Sequence, residues 1–182
     1  MKRMAVAALM LALPFAAFAQ QWKVDFAHSA LTFTGTYQGE RFEGRFKRFD
    51  AKIDYDPAQL ASAKFDVTID IASVDTANAE RDQALPGKDF FDIAQFPRAH
   101  FVTTRFRKAA NGEVVASGTL SLRGVAQPVT LAVKFSQAGN GATLDVDTTL
   151  KRLDFGIGSG DWADTSMIGN DVAVHGHLTL TR

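Results

Sequence analysis

The chain has 182 residues, 20 Lys and Arg against 20 Asp and Glu, 46% hydrophobic residues and no cysteine. That is enough sequence for one domain with a substantial core. The balanced charge shows neither the basic footprint of a nucleic-acid binder nor a polybasic membrane patch, and without disulfides stability has to come from packing and sheet hydrogen bonds.

In chain order, residues 1–19 read as an export signal. Lys2 and Arg3 make a positive start, residues 4–18 are apolar, and Ala17-Phe18-Ala19 matches a small-x-small cleavage site. Cleavage would start the mature domain at Gln20, covering residues 20–182. The run is too short to favour a transmembrane anchor. Of 15 phenylalanines only Phe15 and Phe18 lie in this leader. The remaining rings have no polar handle and need burial against protein or ligand.

Beyond the leader, apolar and polar residues alternate with period 2, the signature of half-buried strands. Residues 22–25 open a first strand and 29–37 form the next, with a turn at Gln38-Gly39. Across residues 42–55 the phase slips: Phe42, Gly44 and Phe46 share one parity and Phe49, Ala51, Ile53 and Tyr55 the other, as a bulge or break near Lys47-Arg48 would produce. Asp56-Pro57 reads as a cap and first position of a short helical turn. Residues 64–71, KFDVTIDI, alternate without a fault. Residues 74–97 interrupt the pattern: 76–85 could hold two helical turns, Pro86-Gly87 stops them, and Asp89 begins another helix start. This insertion carries Phe90, Phe91, Ile93 and Phe96, too apolar for a solvated loop. Strands resume at 100–106, 114–123, 127–135, 142–150 and 171–181, with Asn111-Gly112 and Gly139-Asn140-Gly141 as turns and an irregular Gly-rich stretch at 154–169. About eight main strands predict an all-β, eight-stranded antiparallel barrel with a short helical insertion, a size able to hold one ligand.

Parity selects the inward-facing set: Leu31, Phe33, Tyr37, Phe65, Val67, Ile69, Leu120, Leu122, Leu131, Val133, Leu144, Val146, Val174 and Leu178. Parity does not separate a filled core from a lined tunnel. Phe42 and Phe46 would line an entrance, and Phe90, Phe91, Ile93 and Trp162 would cap or gate it. A Trp at Leu131 or Leu144 is expected to fill such a tunnel and leave the fold intact. Signs of chemistry are sparse. His175 and His177 share a face, but it is the polar parity, so they read as surface histidines rather than a metal pair. Asp25, His28 and Ser29 lack a nucleophile elbow and read as a local polar contact. Gly156, Gly158 and Gly160 are not followed by a strand-to-helix unit and read as turn residues rather than a phosphate cradle. No catalytic residue, metal ligand or cofactor is assigned.

Several segments together resemble the YceI-like family of periplasmic polyisoprenoid-binding proteins. They are Trp22-Lys23-Val24-Asp25 with His28-Ser29; Gly44-Arg45-Phe46; Val74-Asp75-Thr76 with Arg81-Asp82; Asp89-Phe90-Phe91-Asp92 with Phe96-Pro97; Gly118 to Val125; and Arg152 to Gly158. Ala126-Gln127 stands where Thr-Lys is the expected pair. The resemblance implies a lipocalin-like barrel with a long apolar tunnel for an isoprenoid lipid, such as a prenylated quinone or polyprenyl phosphate, or another amphiphile. It implies a binding or carrier role in the periplasm and not an enzyme. Among the matching motifs Arg45, Arg81, Arg123 and Arg152 are head-group candidates; the alternative for each is a structural ion pair, such as Arg152 with Asp154 or Arg81 with Asp82. Two other readings stand beside the carrier: an enzyme acting on a lipid or small metabolite, and a stress-related or quinone-delivery partner in transient contact with a membrane or membrane protein. An edge strand or the apolar insertion could support a homodimer.

Overall fold

The computed structural model describes residues 20–182; the expected export signal, residues 1–19, lies outside the described residues. Among the described residues, ten strands form one sheet. They are β1 (Gln21–Tyr37), β2 (Glu40–Phe46), β3 (Phe49–Asp54), β4 (Lys64–Asp70), β5 (Val74–Asp75), β6 (Arg98–Lys108), β7 (Val114–Leu122), β8 (Val125–Ala138), β9 (Gly141–Lys151) and β10 (Asp171–Thr181), and a short helix, α1 (Ala79–Ala84), follows β5.

Closure follows from the length of β1. Its first residues pair with β3, through Trp22 opposite Ile53, while the same strand pairs with β10, through Val24 opposite Leu180. The ring β1-β3-β4-β6-β7-β8-β9-β10 is therefore an eight-stranded antiparallel barrel. The second half of β1 leaves β3 and pairs instead with β2, from Leu31 opposite Phe46 to Tyr37 opposite Glu40, and β2 in turn carries β5. A flap of β2 and β5 thus extends one end of the barrel beside the ring.

Two elements differ from the sequence expectation, and a third resolves an alternative it left open. The two short strands expected at 22–25 and 29–37 are one strand whose register shifts between Asp25 and Ala30. That bulge changes the inward parity from even (Trp22, Val24) to odd (Leu31, Phe33), because it inserts residues without a partner. Of the bulge or break expected at Lys47-Arg48, the structure has the break: it is the crossing from β2 to β3, two strands that flank different halves of β1. The expected helix at Asp89 is a series of turns, in which Gly87 O accepts from both Phe90 N and Asp92 N. Two turns of helix do form before it, capped by Asn78, whose side chain accepts from Arg81 N.

The core is densest at the barrel end formed by the start of β1 and the ends of β3, β6, β8 and β10. Five aromatic rings meet there. Tyr55 packs on Phe65, Phe106 and Phe135 with ring centroids 5.8, 5.8 and 5.0 Å apart, Phe65 meets Phe106 edge-on at 4.8 Å, and Trp22 meets Phe135 at 5.5 Å. Each such pair is worth about 0.5–1.5 kcal/mol beyond its buried area. The one polar atom of Trp22 is satisfied by donating to Tyr55 O at 2.8 Å. Leu144, Leu180 and Ala116 around this cluster are fully buried. A second bulge, between Thr103 and Arg105, brings Phe106 inward, while the buried Thr103 hydroxyl accepts from Phe65 N at 2.8 Å.

Candidate functional site

The strand register aims the strand residues of the inward-facing set, Tyr37 excepted, into the barrel, but the two ends differ. Phe65, Leu131, Val133, Leu144 and Leu178 are buried and belong to, or adjoin, the aromatic plug. They are core rather than lining, so the expectation that Trp at Leu131 or Leu144 fills a tunnel without harm to the fold is corrected. At the opposite end Leu31, Phe42, Phe46, Val67, Ile69, Leu122, Val146 and Val174 face inward yet are only half-buried. Each keeps part of its apolar surface accessible at that end. Phe33 and Leu120 sit between, buried against the wall. Tyr37 does not line the interior: it is 39% exposed at the rim, where it bridges Ile168.

The rings at this mouth lie along the wall. A Cβ on Gly44 would come within 2.3 Å of the Phe33 ring, and one on Gly35 within 2.9 Å of the Phe42 ring. Each ring therefore occupies the place of the side chain its cross-strand partner lacks. Folding sideways over glycine keeps phenyl groups of this size from projecting into the lumen. Phe33, Phe46 and Phe91 continue as a chain of contacts, at 5.4 and 6.2 Å between centroids, from β1 to the insertion.

The insertion closes over this end. Phe91 is buried, while Phe90 and Ile93 are partly buried against the core. Phe90 packs on Trp162 at 5.6 Å, and Gly158 N donates to Asp89 O at 2.8 Å, so the insertion and the Gly-rich loop form one cover.

Two of the four arginine candidates hold that cover together. Arg152 is 5% exposed, and all of its hydrogen bonds go to backbone carbonyls: Nε to Gly169, Nη1 to Ile157 and Gly158, Nη2 to Trp162 and Ile168, between 2.6 and 3.1 Å. Burial lowers its pKa, and the five carbonyl dipoles stabilise the charge in place of the expected Asp154. Arg152 is thus a loop clasp with no donor left for a head group. Arg123 occupies a two-residue turn with Gly124, both at positive φ (51° and 73°), which suits a hairpin. It donates to Gly156 O at 2.7 Å and Lys88 O at 2.5 Å, tying β7–β8 to both parts of the cover. Arg45 points to the outside and is paired with Asp75 at 3.0 Å. Arg81 alone of the four stands at the mouth, its guanidinium 4.0 Å over the Phe42 ring and its Nε donating to Thr76 Oγ1 at 3.0 Å. Asp82, its expected partner, instead accepts from Thr76 N and Oγ1.

The remaining polar candidates are elsewhere. Ser29 Oγ donates to Asp25 O at 2.6 Å, so its proton is committed to the backbone of the bulge and not to His28, whose Nδ1 meets Asp25 Oδ2 at 2.8 Å. His175 and His177 lie on the outer face opposite Asp147 and Asp145, at 2.8 and 2.6 Å. Two shallow hollows, of about 270 and 420 Å³, also lie on the outside, over β1, β9 and β10, beside Thr32, Phe33, Thr149, Ala173, Val174 and Arg41; their walls mix polar and apolar groups.

Comparison with known proteins places this arrangement. Residues 22–180 match the model of the YceI-like domain. A UPF0312 protein of Vibrio vulnificus is 37% identical over 135 residues, covering 72% of this chain and 71% of its own. The crystal structure of Burkholderia cenocepacia BcnA superposes with a TM-score of 0.82 at 34% identity, over 86% of this chain and 99% of that one. A polyisoprenoid binding domain from Saccharophagus degradans shares the fold, with a TM-score of 0.67 at 18% identity over 90% of this chain and 98% of its own. On the match over residues 22–180, the chain belongs to the YceI-like domain family.

Proposed function

We propose that this protein is a periplasmic carrier that holds the tail of an isoprenoid lipid or a similar amphiphile in the mouth half of its barrel. One observation carries the reading: a set of inward-facing apolar residues, Leu31, Phe42, Val67, Ile69, Val146 and Val174, stays half-buried at the mouth, where phenyl rings fold against glycines and an aromatic cover closes the opening. Burying each CH₂ of a tail there gains about 0.8 kcal/mol, partly offset by ordering the chain. The Saccharophagus domain, named for binding polyisoprenoid, supports the ligand class. The charged start, apolar run and small-x-small motif of residues 2–19 support export. Tyr37 and Met167, 39% and 40% exposed and adjacent at the rim, favour loading or release at a membrane over free diffusion of the lipid.

The test is native mass spectrometry of the protein purified without detergent from the periplasm of its own host, followed by lipid extraction. A retained mass matching a prenyl lipid is expected. Uniformly unliganded protein, together with no uptake of added prenyl lipid, would reject the carrier reading.

A further inference from the structure

We propose that Arg81 receives the head group of the bound lipid, and that this head group is an anion of the phosphate type. The inference rests on the carrier reading above and adds the ligand's polar end to it. The case begins with what the neighbouring charges already do. Arg45 is paired with Asp75, which also takes Lys47 at 3.0 Å. Arg123 and Arg152 are bonded to the carbonyls of the cover. Asp82 is occupied by the backbone N–H and hydroxyl of Thr76. Asp75 and Asp82 are therefore engaged, the adjacent Glu80 forms no ion pair with Arg81 among the described residues, and the hydrogen bond of the Arg81 side chain uses Nε alone.

The geometry then suits an anion. Thr76, held by Asp82 at 2.7 Å, fixes one edge of the guanidinium, and stacking over Phe42 fixes its plane. The edge carrying Nη1 and Nη2 is left as a pre-oriented fork, which matches two oxygens of a phosphate. Phe42 belongs to the inward row of β2, beside Gly35. A head group on Arg81 thus lies at the boundary where an apolar tail would enter the barrel. A neutral quinone ring could stack there but would leave the charge without a partner.

The experiment compares farnesyl phosphate with farnesol, below their aggregation limits, by titration calorimetry on the mature protein, with inorganic phosphate as a third probe. The wild-type protein should bind the phosphate ester at least tenfold more tightly than the alcohol. R81Q should reduce that ratio to about one while farnesol affinity changes less than twofold; R81K, which keeps the charge but not the fork, should restore only part of the ratio. Because the ratio is taken within each protein sample, a loss of folded fraction cancels. Equal binding of both lipids by wild type, or an unchanged ratio in R81Q, overturns the Arg81 assignment and leaves the carrier standing. Inorganic phosphate binding as tightly as the ester overturns it in favour of a free-anion site. Binding of neither lipid overturns the carrier reading and this assignment with it.

Discussion

Replacing Arg152 by Met should detach the cover from the barrel while sparing the sheet. Arg152 makes five hydrogen bonds to carbonyls of residues 157, 158, 162, 168 and 169 from a position only 5% exposed. Hydrogen bonds to a charged group are worth about 1.5–3 kcal/mol each. The gross sum is reduced by the several kcal/mol that burying a guanidinium costs, and the freed carbonyls regain water once the loop opens. A net loss of about 1–3 kcal/mol follows, the range for buried polar groups that lose their partner. Against a typical stability of about 5–15 kcal/mol the domain should still fold. Lysine cannot serve as a substitute, since one ammonium presents its three donors from a single point and the five acceptors surround a plane. Urea unfolding gives the total, and hydrogen exchange by mass spectrometry gives its location. The expected pattern is faster exchange across 153–169 and 86–96, with β8 to β10 changed only by the global loss. A Met variant losing less than about 1 kcal/mol, or exchange rising uniformly over the barrel, would refute the clasp.

Other substitutions separate plug from mouth. Leu144→Trp, at a fully buried position in the plug, should overpack and cost about 1–3 kcal/mol or more, whereas Val174→Trp, half-buried at the mouth, should leave the thermal midpoint within a few degrees and abolish lipid uptake; equal effects on stability would refute the distinction. Gly44→Val places a side chain where Phe33 lies, so it should push that ring into the lumen and weaken lipid binding at least tenfold, while G44V/F33A should restore it. Stability should fall with acid in a defined window. Hydrogen bonds from Lys47, Ala77 N–H and Arg45 hold the Asp75 carboxyl down to about 2, and His28, His100 and Ser166 lower Asp25, Asp66 and Asp164 in the same direction. Carboxylates lowered in the folded state contribute stability above their ordinary pKa near 4 and lose it as pH falls toward 2. The urea midpoint should therefore hold constant from pH 7 to about 5 and drop below 4, and Asp75→Asn should flatten that limb; an unchanged drop in the variant would contradict the assignment.

Period-2 alternation made most of this barrel readable from sequence. Residues 64–71, 114–122 and 171–181 carry their parity without interruption, and the structure places the apolar residues of that parity inside. Parity failed where the backbone adds an unpaired residue. The bulge at Asp25–Ala30 hid Trp22 and Val24, and that at Thr103–Arg105 hid Phe106, so two of the five rings of the aromatic plug went unrecognised. Tyr55 and Phe135 carried the right parity, but nothing local shows that their rings converge from distant strands. The same limit left Leu144 and Val146 indistinguishable: one is fully buried and the other borders the mouth because of what lies across the barrel, not because of their neighbours in the chain. The arginines show a further limit. Motif position marked all four, yet carbonyl partners set by loop geometry bind Arg123 and Arg152, and a carboxylate thirty residues away binds Arg45.

The claim that the ligand lies in the mouth half of the barrel is tested most directly by methyl-labelled NMR during titration with farnesol. Shifts and ligand contacts should concentrate on Leu31, Val67, Ile69, Val146 and Val174, with Ile53, Leu144 and Leu180 at the plug unmoved. Contacts confined to the outer hollow beside Thr32 and Thr149, or no specific shifts at saturation, would contradict the account.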